Sequence, residues 1–400
     1  MRALSQKVRE IRLSQTLAFT MKARSLKEAG IDVVSLTAGE PDFATPPVIK
    51  DAAVRAIAAD FTHYTPNQGT RELLLAIIKK FEAENGLYFS PEQILVSSGA
   101  KHAVYNALQA ICDPGDEVLL FSPHWVSYPD MIRLADGVPV TVPTSMEEDF
   151  RPNADRLREA ITPRSKAVIL NSPSNPTGVV FTREELGAVA AVARRHDLYI
   201  ISDEIYEKVL FDACIHHSIG ADKRVQDQVI TVNGMSKAYA MTGWRIGYMG
   251  GPVAVIEEAA KVQSQVTSNA NSVAQMAALA ALSSPVPEVE LMRREFEHRR
   301  DAAMDILSSI REIEVVRPQG AMYFFFGVRN FYGATVRSSM DMALYLLERH
   351  HVGVVPGSAF GDDGCLRISF TCAMEDLTRG VERIKRGLEE LLLERTNANV

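Results

Sequence analysis

Lys237 stands just beyond the apolar run Val229-Ile230-Thr231-Val232-Asn233-Gly234, at the head of Ser236-Lys237-Ala238-Tyr239-Ala240-Met241-Thr242-Gly243-Trp244-Arg245-Ile246-Gly247. An amine forms a Schiff base only when deprotonated, and burial near other cations lowers its pKa enough to allow that. Arg245, eight positions on with a glycine between, adds a cation suited to an anionic ligand. One segment thus offers an amine for covalent chemistry and a guanidinium for binding. A lysine taken alone is ordinarily a solvated surface charge.

Other reactive residues also follow apolar runs. Asp203, in Ile200-Ile201-Ser202-Asp203-Glu204-Ile205-Tyr206, could present a carboxylate to a ligand or merely cap a helix, with Tyr206 three residues on. In Asn171-Ser172-Pro173-Ser174-Asn175-Pro176-Thr177-Gly178, two prolines and a glycine restrict the backbone enough to hold the Asn175 amide against a ligand, although a rigid turn needs none. Ser98-Gly99-Ala100-Lys101 opens a helix, where free N–H groups and the helix dipole suit a phosphate. Ser98-x-x-Lys101 also resembles a penicillin-binding nucleophile motif, but neither Ser-Asp-Asn nor Lys-Thr-Gly accompanies it. Trp125 could stack on a planar ring or simply fill the core. Arg367, inside Cys365-Leu366-Arg367-Ile368-Ser369-Phe370, is costly to bury unless it has a partner, either a structural carboxylate or a bound one.

The elements that position these residues are strands alternating with helices. Apolar runs at 94–96, 118–121, 138–142, 167–170, 198–201, 229–232 and 246–249 are separated mostly by helix-length segments. This implies an α/β fold with a mainly parallel seven-stranded sheet covered by helices on both faces, and ligands bind beyond the carboxyl ends of such strands. Residues 1–30 read as an amphipathic helix ending at Gly30, followed by an apolar run to Leu36 and an exposed loop, Thr37-Ala38-Gly39-Glu40-Pro41-Asp42-Phe43. Beyond Ser283-Ser284-Pro285-Val286-Pro287, a charged helix carrying arginines 293, 294, 299 and 300 reads as a solvated face. Strands are expected at 313–316, 322–326, 352–355 and 366–370, with helices near 338–350 and from about 375. The expected division is a large domain over 46–282 and a smaller α/β domain from 1–45 and 283–400.

The formal charge of −7, with signs interspersed, excludes a nucleic-acid arm and gives no reason for a membrane surface. Four cysteines without C-x-x-C spacing read as reduced, and the protein as cytoplasmic. No His-Glu-x-x-His occurs and no G-x-G-x-x-G follows a strand, so neither a metal nor a nicotinamide is expected.

Ser236-Lys237 followed by Met241-Thr242-Gly243-Trp244-Arg245-Ile246-Gly247 closely resembles the lysine segment of fold-type I pyridoxal-phosphate aminotransferases (class I/II), and Asn175-Pro176-Thr177-Gly178 matches a signature of that family. The likeness spans nearly the whole chain and is closest to the bacterial and plant aspartate (aspartate/prephenate) aminotransferase branch. It implies Lys237 as the Schiff-base lysine and proton shuttle, Asp203 as partner of the cofactor's pyridine nitrogen, and Tyr206 and Asn175 at its phenolic oxygen. Trp125 would cover one face of the ring. Ser98, Gly99, Ala100, Lys101, Ser236 and Arg245 would bind the phosphate, joined by Tyr64 from the neighbouring subunit of a homodimer. The substrate would meet Gly39, Trp125, Asn175 and Arg367, the last clamping its α-carboxylate, while Lys101 would favour a distal carboxylate. Arg12, Ser14 and Thr16 lie in a strip that this branch links to acidic substrates and, in some members, prephenate; here Arg12 stands where many members have lysine and Leu13 where proline is usual. The implied reaction is ping-pong transamination of L-aspartate with 2-oxoglutarate, extending in some relatives to prephenate. An aromatic or neutral amino-acid aminotransferase, or a lyase or synthase on the same scaffold, would use the same core groups.

Overall fold

A computed structural model describes residues 4–11 and 15–398 of the chain. The seven apolar runs form one sheet, in the order Ile94–Ser97, Gly247–Gly250, Val229–Gly234, Tyr199–Asp203, Ser165–Asn171, Glu117–Ser122 and Val138–Pro143. All pairings are parallel except those of Gly247–Gly250, which runs against both neighbours. The fold is therefore α/β, as expected from the sequence.

Alternation along each strand explains the unbroken apolar runs. Val118, Leu120, Ile169, Ile201 and Ile230 join a cluster with the helix Ala100–Ile111, whereas Leu119, Phe121, Val168, Leu170 and Ile200 pack with the helix Arg183–Arg195. Each such buried aliphatic side chain contributes about 1.5–3 kcal/mol. Thr182 and Glu185 close a reciprocal capping box at the start of the second helix. Gly247 is required by packing: a Cβ there would collide with the Ala100 backbone nitrogen, where a helix begins against the sheet.

The C-terminal part adds an antiparallel sheet in the order Val355–Pro356, Cys365–Ser369, Tyr323–Gly327 and Glu314–Val315. The run 352–355, expected as one strand, serves two sheets. Val352–Gly353 pairs with Val34–Ser35, and Val355–Pro356 forms an edge of the antiparallel sheet, where proline's missing N–H does no harm. The N-terminal helix is likewise divided into Gln6–Glu10 and Gln15–Glu28, and Gly30 ends the second at φ +86°.

The charged helix Glu288–Ser308 corrects the solvated-face expectation at two positions. Arg299 and Arg300 are buried, the first paired with Asp42 and Glu295, the second with Asp212 through bonds of 2.6 and 2.9 Å. The fixed fork of a guanidinium lets a buried arginine satisfy several donors at once. Among the described residues, no helix is long and apolar enough to cross a membrane.

Candidate active site

The carboxyl ends of three neighbouring strands lie side by side: Asn171 is in register with Asp203, and Asp203 with Val232. A cavity of about 610 Å³ opens there, and its wall includes Lys237, Asp203, Tyr206, Asn175, Trp125, Ala100, Lys101, Ser236, Arg245, Gly39 and Arg367. Ser98 and Gly99 adjoin Arg245 without lining the cavity, and Tyr64, 90 % exposed, does not line it either. Arg12 and Ser14 lie outside the described residues, as does the side chain of Thr16.

Strand ends fix the polar groups. Asn171 Nδ2 donates to the Asp203 carbonyl (2.9 Å), and Asn171 Oδ1 accepts from the Asn175 amide (2.8 Å), which ties the proline-rich turn to the sheet. Asp203 accepts from Tyr128 Oη (2.8 Å) and the Ile205 amide (3.3 Å). A turn follows Asp203, so the helix-cap alternative falls away. Burial raises its carboxyl to about 6, against the lowering effect of those two hydrogen bonds and of Lys237. At neutral pH it is still mainly a carboxylate.

Lys237 Nζ donates to the Gly39 carbonyl (2.7 Å) and lies 5.9 Å from the centre of the Tyr206 ring. Burial is the main cause of its lowering to about 8; Glu40 opposes this, and Arg245 and Arg367 push it further down. Near pH 7.4 a solvated lysine is free base in roughly one molecule in a thousand. Lys237 is free base in a far larger share.

Arg245 has left-handed backbone (φ +52°) and donates to the carbonyls of Thr242 (2.9 Å) and Ser98 (3.4 Å). In the isolated chain its side chain is exposed, unlike the half-buried Lys237. Gly99 answers both geometry and space: its φ is +92°, and a Cβ would sit 2.5 Å from Arg245 Nη2. As the N-cap of Ala100–Ile111 it offers no side-chain cap, so the helix's first N–H groups stay available beside the guanidinium. Lys101 Nζ rests 4.7 Å from the centre of the Trp125 ring, and burial, then Arg245, lowers its pKa.

Arg367 is 2 % exposed and donates to the Thr37 carbonyl (2.7 Å) and Asn175 Oδ1 (3.2 Å), both uncharged acceptors. Its guanidinium lies over the rings of Tyr323 (4.6 Å) and Phe360 (4.9 Å), and its Nε has no partner among the described residues. The structural ion pair considered from cost alone is replaced by neutral acceptors and aromatic faces. Burial lowers its pKa, opposed by Tyr323 and Tyr206.

Sequence reasoning passed over Tyr128, Asn171 and Tyr323. Asn171 falls within the segment that carries Asn175, Tyr128 lies three residues beyond Trp125, and a polar tip on an otherwise apolar or turn-forming stretch was the available signal. Tyr323 begins the run Tyr323-Phe324-Phe325-Phe326, which reads as core.

Residues 31–384 match the model of the family "Aminotransferase class I and II". The chain is 45 % identical to a Petunia hybrida bifunctional aspartate aminotransferase and glutamate/aspartate-prephenate aminotransferase, covering 96 % of this chain and 83 % of the relative. It is 45 % identical to a probable aspartate/prephenate aminotransferase of Thermus aquaticus, over 97 % and 100 % of the two chains. A solved aspartate aminotransferase from Thermus thermophilus, with maleate, superposes at a TM-score of 0.92 with 45 % identity, over 97 % of this chain and 100 % of that one. With sequence and backbone in agreement over nearly its full length, this chain belongs to the class I and II aminotransferases.

Proposed function

We propose that this chain is a pyridoxal-phosphate-dependent aminotransferase carrying the amino group of L-aspartate to 2-oxoglutarate. The observation that carries the reading is Lys237, an amine lowered to about 8, in one cavity with the buried Asp203 carboxylate and Arg367, whose Nε is unpartnered among the described residues. The surroundings fit that cofactor. Gly99, Ser236, Arg245 and the uncapped helix start make a place for a phosphate. Asp203, held by Tyr128, would face the pyridine nitrogen, Tyr206 and Asn175 the phenolic oxygen, and Trp125 the ring.

When bound, the cofactor supplies an electron sink for the charge left on the substrate's α-carbon. The protein supplies the rest. Arg367 binds the α-carboxylate, for which its free Nε is a ready donor, and Lys101 meets the distal carboxylate. Lys237 Nζ takes the α-proton and holds it until it is returned, which requires the free base that burial already favours. Asp203 stays anionic at working pH, its charge steadied by the Tyr128 hydroxyl. The names of the relatives support aspartate as the amino donor, and they make prephenate a further acceptor to test.

We also read the chain as a homodimer, with the exposed Val54, Ile57 and Tyr64 on its contact side and Tyr64 reaching the partner's phosphate site. The four free cysteines suit a reducing cytoplasm, and residues 46–282 form the large domain against 1–45 and 283–400.

The experiment is a panel of half-reactions on the loaded protein. L-Aspartate alone should convert the bound cofactor, and 2-oxoglutarate should restore it. Replacing Lys101 with methionine should cut the rate with aspartate about tenfold while changing alanine much less. Faster conversion by phenylalanine or leucine than by aspartate would overturn the substrate assignment, and product release without an acceptor would overturn transamination.

A further inference from the structure

Tyr323 is 1 % exposed at the start of the strand Tyr323–Gly327, and it touches groups from three parts of the site. Its Oη lies 2.7 Å from Tyr206 Oη, with the two rings edge to face at 5.8 Å. The Arg367 guanidinium stands 4.6 Å from the centre of its ring. This follows from register: Arg367 pairs with Phe325, two residues along, so Tyr323 and Arg367 are diagonal neighbours on one face. Gly39, whose carbonyl receives Lys237, is kept free of a side chain by the same tyrosine, since a Cβ there would collide with Tyr323 Oη.

Either hydroxyl of the Tyr206–Tyr323 pair can be the donor. Tyr206 has one hydrogen: given to Tyr323, it leaves only lone pairs facing the cavity, and kept, it can serve a ligand oxygen. Arg367 stands closer to the Tyr323 ring (4.6 Å) than Lys237 Nζ does to the Tyr206 ring (5.9 Å). A cation beside a phenol draws charge from it and makes its hydroxyl the better donor.

We propose that Tyr323 is a positioning residue: its hydroxyl donates to Tyr206 and turns the Tyr206 hydrogen into the cavity, while its ring fixes the Arg367 guanidinium. The inference rests on the pyridoxal-phosphate reading, in which that hydrogen meets the cofactor's phenolic oxygen. A hydrogen bond to this oxygen favours its anionic form and so lowers the pH at which the bound cofactor loses its proton.

The test is the pH midpoint of the visible band of loaded protein, read without turnover, together with the Kd of maleate as a dicarboxylate probe. Tyr323→Phe keeps the ring and removes the hydroxyl, so the midpoint should rise by about half a pH unit or more while the Kd changes less than about twofold. Tyr323→Leu should raise the midpoint similarly and weaken maleate about tenfold. In a Tyr206→Phe background, Tyr323→Phe should move the midpoint no further, because the effect runs through Tyr206. An unchanged midpoint in Tyr323→Phe, or an equal shift in the Tyr206→Phe background, would overturn the proposal. Should the leucine variant fail to fold, the phenylalanine pair still decides. Absence of any band in the unmutated protein would instead sink the cofactor reading.

Discussion

Asp203 and Glu204 are consecutive, yet they belong to two buried charge clusters of opposite design. Glu204 accepts from Ser202 (2.8 Å), Ser218 (2.5 Å), His216 (3.0 Å) and Asn85 (3.3 Å), while Lys80 pairs with Glu207 and donates to Asn85 at 2.7 Å. Burial would raise Glu207, but Lys80 and His216 outweigh it and take the carboxyl to about 2. His216, lowered by burial, is raised on balance by Glu204. This cluster finds its counter-charges within the fold. On the cavity side, Lys237 and Arg367 rest on backbone and amide oxygens, and Asp203 is raised to about 6. Charges buried without full compensation are unfavourable by themselves and available to a ligand. The difference separates a cluster that stabilises the fold from one that, on the proposed function, is arranged for chemistry.

The comparison breaks or sharpens in three steps, from the largest expected effect downward. Replacing Lys237 with alanine should lower turnover at least about 10³-fold. It should not weaken the apoprotein in urea, because an amine lowered to about 8 disfavours folding at neutral pH. A clear loss of stability would place Lys237 with the structural cluster. Lys80→Met should do the reverse: breaking a buried pair costs about 3–5 kcal/mol of unfolding free energy. Activity per folded molecule should then stay within about threefold, since neither Lys80 nor Glu207 lines the cavity. The smallest effect is in pH. Glu207, lowered to about 2 from 4.5, contributes stability that is present above pH 4.5 and lost as pH falls toward 2. Asp203, raised from 3.8 to about 6, disfavours the fold increasingly as pH rises through that interval. Apoprotein unfolding curves should therefore show the advantage of Asp203→Asn over the unmutated protein growing from pH 4 to 6. The deficit of Glu207→Gln should shrink below pH 4.5. Shifts of the same sign would remove the distinction.

Much of this was legible because the signals are local. The large sheet shows in the sequence because its strands, apart from the edge Val138–Pro143, are buried along most of their length, and the motif residues are punctuated by Gly, Pro and Asp where strands end. What escaped depends on distant partners. Arg300 reads as a solvated charge until Asp212, 88 positions away, is brought beside it. Tyr323 sits in an aromatic run indistinguishable from core, and the hydroxyl that gives it meaning belongs to Tyr206, 117 positions away. The split of 352–355 between two sheets leaves no mark on residue types, because all of its residues are buried alike.

The central claim is that Lys237 holds the cofactor, and it is tested most directly by trapping the bond. The protein is saturated with pyridoxal phosphate, reduced with borohydride and digested, and peptide masses locate the pyridoxyl phosphate group. The account predicts a single modified lysine, Lys237, with labelling suppressed by prior addition of L-aspartate. Labelling centred on Lys101 or any other lysine, or none at all, would contradict it.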